Sequence, residues 1–435
     1  MVGLGKIGLP LAVQYAGRGH EVIGVDIDAG VVESVGRAEP PFPGEAELPE
    51  RLGAVVARGR LRASTDTEDA VAQSEAVVVV VPLYVDDEAR PDFTAIDAAA
   101  AAVARGLRPG TLVLFETTLP VGTTRDRLAP ALSAGSGIDL DDLLLAFSPE
   151  RVYSGRIFAD LRRYPKLVGG VTPESTRRAV AFYDAVLEFD PRPDLDRPNG
   201  VWDLGTAEAA ELAKLAETTY RDVNIGLANQ FARYADRIGA DIHGVIEACN
   251  SQPFSHIHTP GIAVGGHCIP VYPRLYLWND PDATVVRAAR AANAFMPAYA
   301  VEVLAREHGG LAGERVVVLG AAYRGGVKET AFSGVFAVVE ALRAHGAVAL
   351  VHDPLYDAAE LLALGLEPYI GGEPVDAAVV QADHAEYRSL APQDLPDVRT
   401  VVDGRRLLDP TSWLPVRLVT LGGSAPDKPV HAGAR

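Results

Sequence analysis

The chain has 435 residues, 48% of them hydrophobic and 23% charged, which is enough for two or three globular domains with sizeable cores. A formal net charge of −18 leaves no basic excess to neutralise a nucleic-acid backbone, although helix ends and single basic residues still admit a small anionic ligand. No apolar run approaches the roughly 20 residues of a membrane span. The N-terminus lacks a signal-peptide pattern, and two cysteines, Cys249 and Cys268, exclude a disulfide framework. The expectation is a protein of the reducing cytoplasm with no membrane or nucleic-acid partner.

Gly3-Leu4-Gly5-Lys6-Ile7-Gly8 opens the chain as a GxGxxG pattern. Its glycines permit a tight turn and the approach of a pyrophosphate to a helix N-terminus. Taken alone, the pattern is equally a tight strand–helix turn. Glu21–Val25, a predicted strand, supports the ligand reading because it ends at Asp26, where a carboxylate binds a ribose 2′-hydroxyl and repels the extra phosphate of NADP. The predicted cofactor is therefore NAD, held by Gly3, Gly5, Lys6, Ile7, Gly8 and Asp26. The strand that should precede the loop is reduced to Met1 and Val2, which suggests a truncated or mis-started chain.

Further predicted strands, Ala76–Val81, Leu112–Phe115 and Leu143–Ala146, alternate with Ala-rich helical stretches such as Ala95–Arg105. That alternation implies a parallel sheet covered on both faces. Pro82 follows the first of these strands, Glu116-Thr117-Thr118-Leu119-Pro120 the second, and Ser148-Pro149-Glu150-Arg151 the third. These are carboxyl ends, where ligands bind in such sheets, so Pro82 and Thr118 join the cofactor set. The hydroxyls and carboxylates there could place water or relay a proton, or else serve as helix caps and turns.

Pro191–Asn199 reads as a linker or exposed loop, and Asp203–Ile238 as one long helix of the kind that bridges domains or pairs across a dimer. Lys214 and Thr218, four apart, share a helix face. A lysine there could donate to an oxygen that gains charge; the plainer reading is a solvated surface residue, although in a chain with five lysines against 35 arginines an arginine would be the expected surface cation. Cys268 sits in Val264-Gly265-Gly266-His267-Cys268-Ile269-Pro270, where the glycines leave a thiol accessible, so a nucleophile and a structural thiol are both open. Cys249, in the apolar stretch after Val245, fits a buried structural thiol. A second sheet is predicted from Arg315–Leu319, Val348–Val351, Ala377–Val380 and Thr400–Val402, and Gly422–Arg435 is expected to fray. The expected fold is α/β: two Rossmann-like doubly wound domains, 1–195 and 310–425, joined through a central helical domain, 200–300, built on the long helix.

In this order, VGLGKIGLPLA, ETTLPVGTT, SPERVYSG, AELAKLAETTYRDVNIGLANQ, GIAVGGHCIPVYP, VVVLGAAYRGGVKE and VVDGRR resemble the UDP-glucose/GDP-mannose dehydrogenase family over nearly the whole chain. GGHCIP and KLAETTYRDVNIGLAN are the specific stretches, and they look closest to the branch acting on UDP-N-acetylhexosamines. The resemblance implies NAD-dependent oxidation of a nucleotide sugar's C6 alcohol to a uronic acid through a thiohemiacetal and thioester on Cys268. It makes Lys214 the oxyanion stabiliser and gives Thr118 and Glu150 the placing and activation of water. Arg324 becomes a contact of the nucleotide sugar, beside Tyr323, Arg151 and Gly265, and the central helix forms a homodimer. Four positions depart from the family pattern: Thr218 replaces an asparagine, Tyr272 an aspartate, and Phe254 and Ala331 each an arginine. Two other readings compete: a two-electron hydroxyacid-type dehydrogenase, which leaves the last third without a role, and a non-catalytic relative that binds NAD or a nucleotide sugar.

Overall fold

The computed structural model describes residues 1–423 apart from Asp87 and Ser154. The tail expected to fray lies almost wholly outside the described residues. The chain divides into two compact units, Met1–Glu217 with Arg274–Asn279, and Thr218–Pro273 with Asp280–Arg435.

In the first unit, β1 (Val22–Val25) pairs with β2 (Leu61–Ser64), and β3 (Ala76–Val79) begins a second group. A two-residue hairpin, β4 (Tyr84–Val85) and β5 (Pro91–Asp92), follows. The second group then runs β3-β6-β7-β8-β9, with β6 at Leu112–Phe115, β7 at Leu144–Phe147, β8 at Lys166–Gly170 and β9 at Val201–Thr206. Val2 forms parallel bridges to both Val25 and Val79 and so links the groups. Counting Val2 as the first strand position, the order is that of a Rossmann sheet, with the change in winding direction between Val2 and β3. Alternate residues of the strands serve opposite cores. Val113, Phe115, Leu145 and Phe147 meet Ile96, Val103 and Leu132 on one face, while Leu112, Leu114, Ala146 and Val168 meet Leu11, Tyr15 and Tyr183 on the other.

The expectation of a parallel sheet holds only through β7. β8 runs antiparallel to β7, with Ala146 opposite Gly170 and Phe147 opposite Gly169, and β9 is parallel to β8. The connection from β7 carries only the seven-residue helix Ile157–Arg163 and does not cross the sheet, so the chain re-enters from the end at which β7 leaves. The reversal brings Lys166, the first residue of β8, to the carboxyl ends of β6 and β7.

The long helix is also shorter than predicted. Asp203–Thr206 belongs to β9, whose Val201 and Trp202 face Lys166 and Leu167. Gly205 takes φ +82, which breaks helical continuity, so the helix runs over the 32 residues Ala207–Ile238. Strands β2, β8 and β9 carry too few apolar alternations to be legible beforehand, and β14 (Arg417–Thr420) is likewise short and half-buried.

The second unit holds five parallel strands, β10 (Arg315–Leu319), β11 (Val348–His352), β12 (Ala377–Val380), β13 (Thr400–Asp403) and β14, in the order β11-β10-β12-β13-β14. Helices Thr284–His308 and Gly334–Ala344 cover one face through Met296, Val301, Leu304, Val335 and Leu342, while Trp413, Tyr387 and Leu395 fill the other. The winding changes direction between β10 and β12, so the loops after these two strands form the crevice where ligands bind in open sheets. Among the described residues, no helix is long and apolar enough to cross a membrane.

Candidate active site

The glycine loop is shaped by two contacts and one opening. Gly3 has φ +93 and a side chain there would collide with the Val80 carbonyl; one on Gly8 would collide with the Gly3 carbonyl. Gly5 meets nothing within 4 Å, so its backbone is open to a close ligand. Lys6 and Ile7 complete the turn into the helix Gly8–Gly17. Asp26, just past β1, accepts from the Leu4 amide at 2.8 Å and the Asp28 amide at 3.0 Å. Pro82 is exposed beyond β3, while Thr118 is buried next to Thr117, whose hydroxyl donates to the Val81 carbonyl at 2.6 Å. The predicted cofactor residues thus line the carboxyl ends of β1, β3 and β6. Two glycines excluded from bearing side chains and a third left open are what a pyrophosphate requires.

At the carboxyl ends of β6 and β7 lies a buried charge cluster that the sequence did not disclose. Lys166 Nζ donates to Glu116 at 2.6 Å and to Glu150 at 2.9 Å. Tyr183 and Tyr15 donate their hydroxyls to Glu116 at 2.8 and 3.2 Å. Burial pushes Glu116 up to about 7, against the pull of Lys166. Burial acts on Glu150 in the same sense, but the Lys166 ammonium and the Arg151 amide outweigh it and hold that carboxyl below its ordinary range. Arg151 itself pairs with Glu217 at 2.8 Å. Lys166 is one of few lysines in the chain, a weak signal that only the reversed β8 makes intelligible.

Lys214 is no surface lysine: it is 7% exposed, and its Nζ donates to the Glu150 carbonyl at 2.6 Å. One turn earlier, buried Glu211 accepts from the Gly122 amide (2.6 Å), the Thr124 amide (2.9 Å) and the Thr124 hydroxyl (2.6 Å). The first turns of the long helix therefore pin both predicted loops, the one after β6 and the one after β7.

In the second unit the same helix pins the cysteine loop. Asn224 donates to the His256 carbonyl at 2.6 Å and accepts from the His258 amide at 2.9 Å; Asn229 accepts from the Gly261 amide at 2.9 Å. Buried Asp222 binds Arg290 at 2.9 Å, and Arg290 reaches the Ile269 carbonyl at 3.4 Å. Gly265 lies so close to Tyr323 and the Phe332 carbonyl that a side chain would not fit, and the Gly266 amide donates to the Ala331 carbonyl at 2.9 Å. Cys268 is exposed at the end of this braced loop, and its carbonyl accepts from the Tyr272 amide at 2.9 Å. Cys249, expected to be buried, is only partly so. Tyr323 and Arg324 lie on the loop after β10, at the switch point, with Arg324 5.7 Å from the Tyr323 ring.

Models of three successive domains match this chain: the NAD binding domain (residues 1–187), the central domain (208–294) and the UDP binding domain (317–410) of the UDP-glucose/GDP-mannose dehydrogenase family. The chain belongs to that family. It is 34% identical to the UDP-N-acetyl-D-mannosamine dehydrogenase of Pyrococcus horikoshii over 94% of its own length and 95% of that protein's. It is 31% identical to the NDP-N-acetyl-D-galactosaminuronic acid dehydrogenase of Ralstonia solanacearum over 93% and 95%. The solved structure of UDP-D-ManNAc dehydrogenase from Pyrococcus horikoshii superposes with a TM-score of 0.84 at 30% identity, covering 97% of this chain and 98% of that one. This dehydrogenase is thus an NAD-dependent oxidoreductase of nucleotide sugars, with the glycine loop in the NAD binding domain and Arg324 in the UDP binding domain.

The departures from the family pattern take distinct places in the enzyme. Ala331 contributes its carbonyl to the cysteine loop, which any residue can do, and Tyr272 contributes its amide. Phe254 is 92% exposed, and Thr218 is buried on the long helix.

Burial raises Glu211 to about 7 from an ordinary 4.5, even though the Thr124 and Gly122 hydrogen bonds favour its charged form. The folded state then holds this proton more tightly than the unfolded one, so stability falls as pH rises from about 4.5 to about 7 and is level above. Relative to Glu211→Gln, the wild type should lose up to about 3 kcal/mol across that window, at about 1.36 kcal/mol per pKa unit. Thermal unfolding of both proteins at pH 5 and pH 8 checks this; an equal difference at both values would contradict the assignment.

Proposed function

We propose that this dehydrogenase oxidises the C6 primary alcohol of a UDP-N-acetylhexosamine to the uronate in two NAD-dependent steps joined by a thioester on Cys268. UDP-glucose and dTDP-glucose are the other substrates to weigh. The sugar class is supported by the relatives above, whose names specify N-acetylmannosamine and N-acetylgalactosaminuronic acid. The exposed thiol of Cys268, on a loop braced by buried polar groups, is the observation that carries the reading.

When bound, NAD takes up one hydride in each oxidation. The C6 alcohol gives up a hydride and a proton and becomes an aldehyde. The Cys268 thiolate adds to its carbon, and Lys214 donates to the oxygen that gains charge, with Thr218 able to add one hydrogen bond. Loss of a second hydride from that carbon leaves a thioester. Water placed by Thr118 and activated by Glu150 adds to the thioester, the carbon–sulfur bond breaks, and the acid and the free thiol separate. Gly3, Gly5, Lys6, Ile7, Gly8, Asp26 and Pro82 hold the cofactor; Arg151, Gly265, Tyr323 and Arg324 hold the nucleotide sugar. In this reading residues 1–195 serve NAD, 200–300 dimerise and 310–425 grip the nucleotide.

The dimer reading rests on Tyr220, Leu227, Phe231, Tyr234 and Ile238, all exposed and spaced to form one stripe along the long helix. Light scattering of the wild type at micromolar concentration should give twice the chain mass, and Phe231→Glu should halve it. A wild-type monomer would rule out this assembly.

Offered NAD with UDP-N-acetylmannosamine, UDP-N-acetylglucosamine, UDP-N-acetylgalactosamine, UDP-glucose and dTDP-glucose, the enzyme should release two NADH per sugar from at least one. Cys268→Ser should lower that turnover at least about a thousandfold while still binding NAD. One NADH per sugar, or a fully active Cys268→Ser, would instead favour the two-electron dehydrogenase.

A further inference from the structure

The cluster around Lys166 is more than packing. Lys166 opens β8 at the end of the sheet where the proposed water-activating carboxylate, Glu150, follows β7. Its ammonium is almost wholly buried and has two carboxylate neighbours, Glu116 at 2.6 Å and Glu150 at 2.9 Å. Glu116 is fully enclosed and held from two further elements, by Tyr15 on the helix Gly8–Gly17 and Tyr183 on the helix Pro173–Val186. An ion triad buried this deeply costs desolvation that a neutral packing arrangement would avoid. What it provides is a charge fixed within hydrogen-bond reach of Glu150.

We propose that Lys166, held in place by Glu116, is the positioning residue of Glu150: it sets the direction and the charge of the carboxylate that acts on water. Lys166 need not touch the substrate to do this. Glu150 faces Lys166 through its side chain, the Arg151 amide through the same carboxylate, and Lys214 through its carbonyl; the Glu116 carboxyl stands beside it and shares Lys166. Without the ammonium, a largely buried carboxylate beside Glu116 would hold its proton to higher pH, and the step that needs its charged form would fail there.

The proposal rests on the thioester reading, and the test separates the two. Wild type, Lys166→Met and Lys166→Arg are compared by kcat and KM for NAD and for whichever sugar of the panel is turned over, from about pH 4, where the wild-type acid limb of a carboxylate held below its ordinary range comes into view, to pH 9. Thermal unfolding is followed alongside. Lys166→Met should lower kcat about a hundredfold, within the range of a general-base contribution. It should leave both KM values within about twofold, because uniform binding is untouched. The acid limb of its kcat profile should move up by about one pH unit or more. Lys166→Arg, which keeps the charge but misplaces it, should lower kcat with the acid limb in place, and it carries the test if Lys166→Met does not fold. An unmoved acid limb in Lys166→Met, or wild-type kcat in Lys166→Arg, overturns the positioning role while leaving the reaction intact. A wild type that stops at one NADH per sugar overturns both.

Discussion

Buried polar groups on the helix Ala207–Ile238 are the constraint on which the functional loops depend. A polar side chain withdrawn from water must find a partner or forfeit about 1–3 kcal/mol. This helix places Glu211, Lys214, Asp222 and Asn229 where water is excluded. Three are satisfied in part by loop backbone, Glu211 by the loop after β6, Lys214 by the Glu150 carbonyl and Asn229 by the Gly261 amide, while Asp222 holds Arg290, which reaches the Ile269 carbonyl just past Cys268. The exchange is mutual. Irregular loops gain fixed shapes, and the helix gains the hydrogen bonds that allow polar residues on its buried face.

The same economy explains the two sheets. In both, the strand order changes direction once, and the glycine-bearing loops at that point approach other backbone too closely for side chains, at Gly3 and Gly8 in one sheet and at Gly320 and Gly325 in the other. Such loops offer open main-chain amides, and neighbouring carboxylates fix their shape. In the first sheet Asp26 already serves its own loop by accepting the Leu4 amide; in the second, Asp353 does the same for the amides of Ala321 and Ala322.

Much of this was legible in the sequence, and the boundary of legibility has a physical cause. Leu112–Phe115, Arg315–Leu319 and Ala377–Val380 were readable to the residue because fully buried parallel strands are continuous apolar runs. The glycine loop and the GGHC turn were readable because their chemistry is local. β8 was not: Lys-Leu-Val-Gly-Gly contains a charge and two glycines, and only pairing with β7 in the reversed sense makes it a strand. Lys166 was therefore invisible as part of the site, since its partners Glu116 and Glu150 stand 50 and 16 residues away. Asp222, Asn224 and Asn229 were visible as a signature but not as anchors, because the groups they hold lie 32 to 71 residues further on.

In the proposed reaction Cys268 carries the sugar as a thioester awaiting water. Glu150→Gln should slow release more than formation, so that the intermediate accumulates. Intact-protein mass spectrometry of this variant, quenched in acid after mixing with NAD and the accepted sugar, is the most direct measurement. The expected result is a mass increase of one acyl-linked nucleotide sugar, located by digestion to the peptide containing Cys268 and lost on treatment with hydroxylamine. A variant that turns over slowly with no adduct, or an adduct elsewhere, would contradict it.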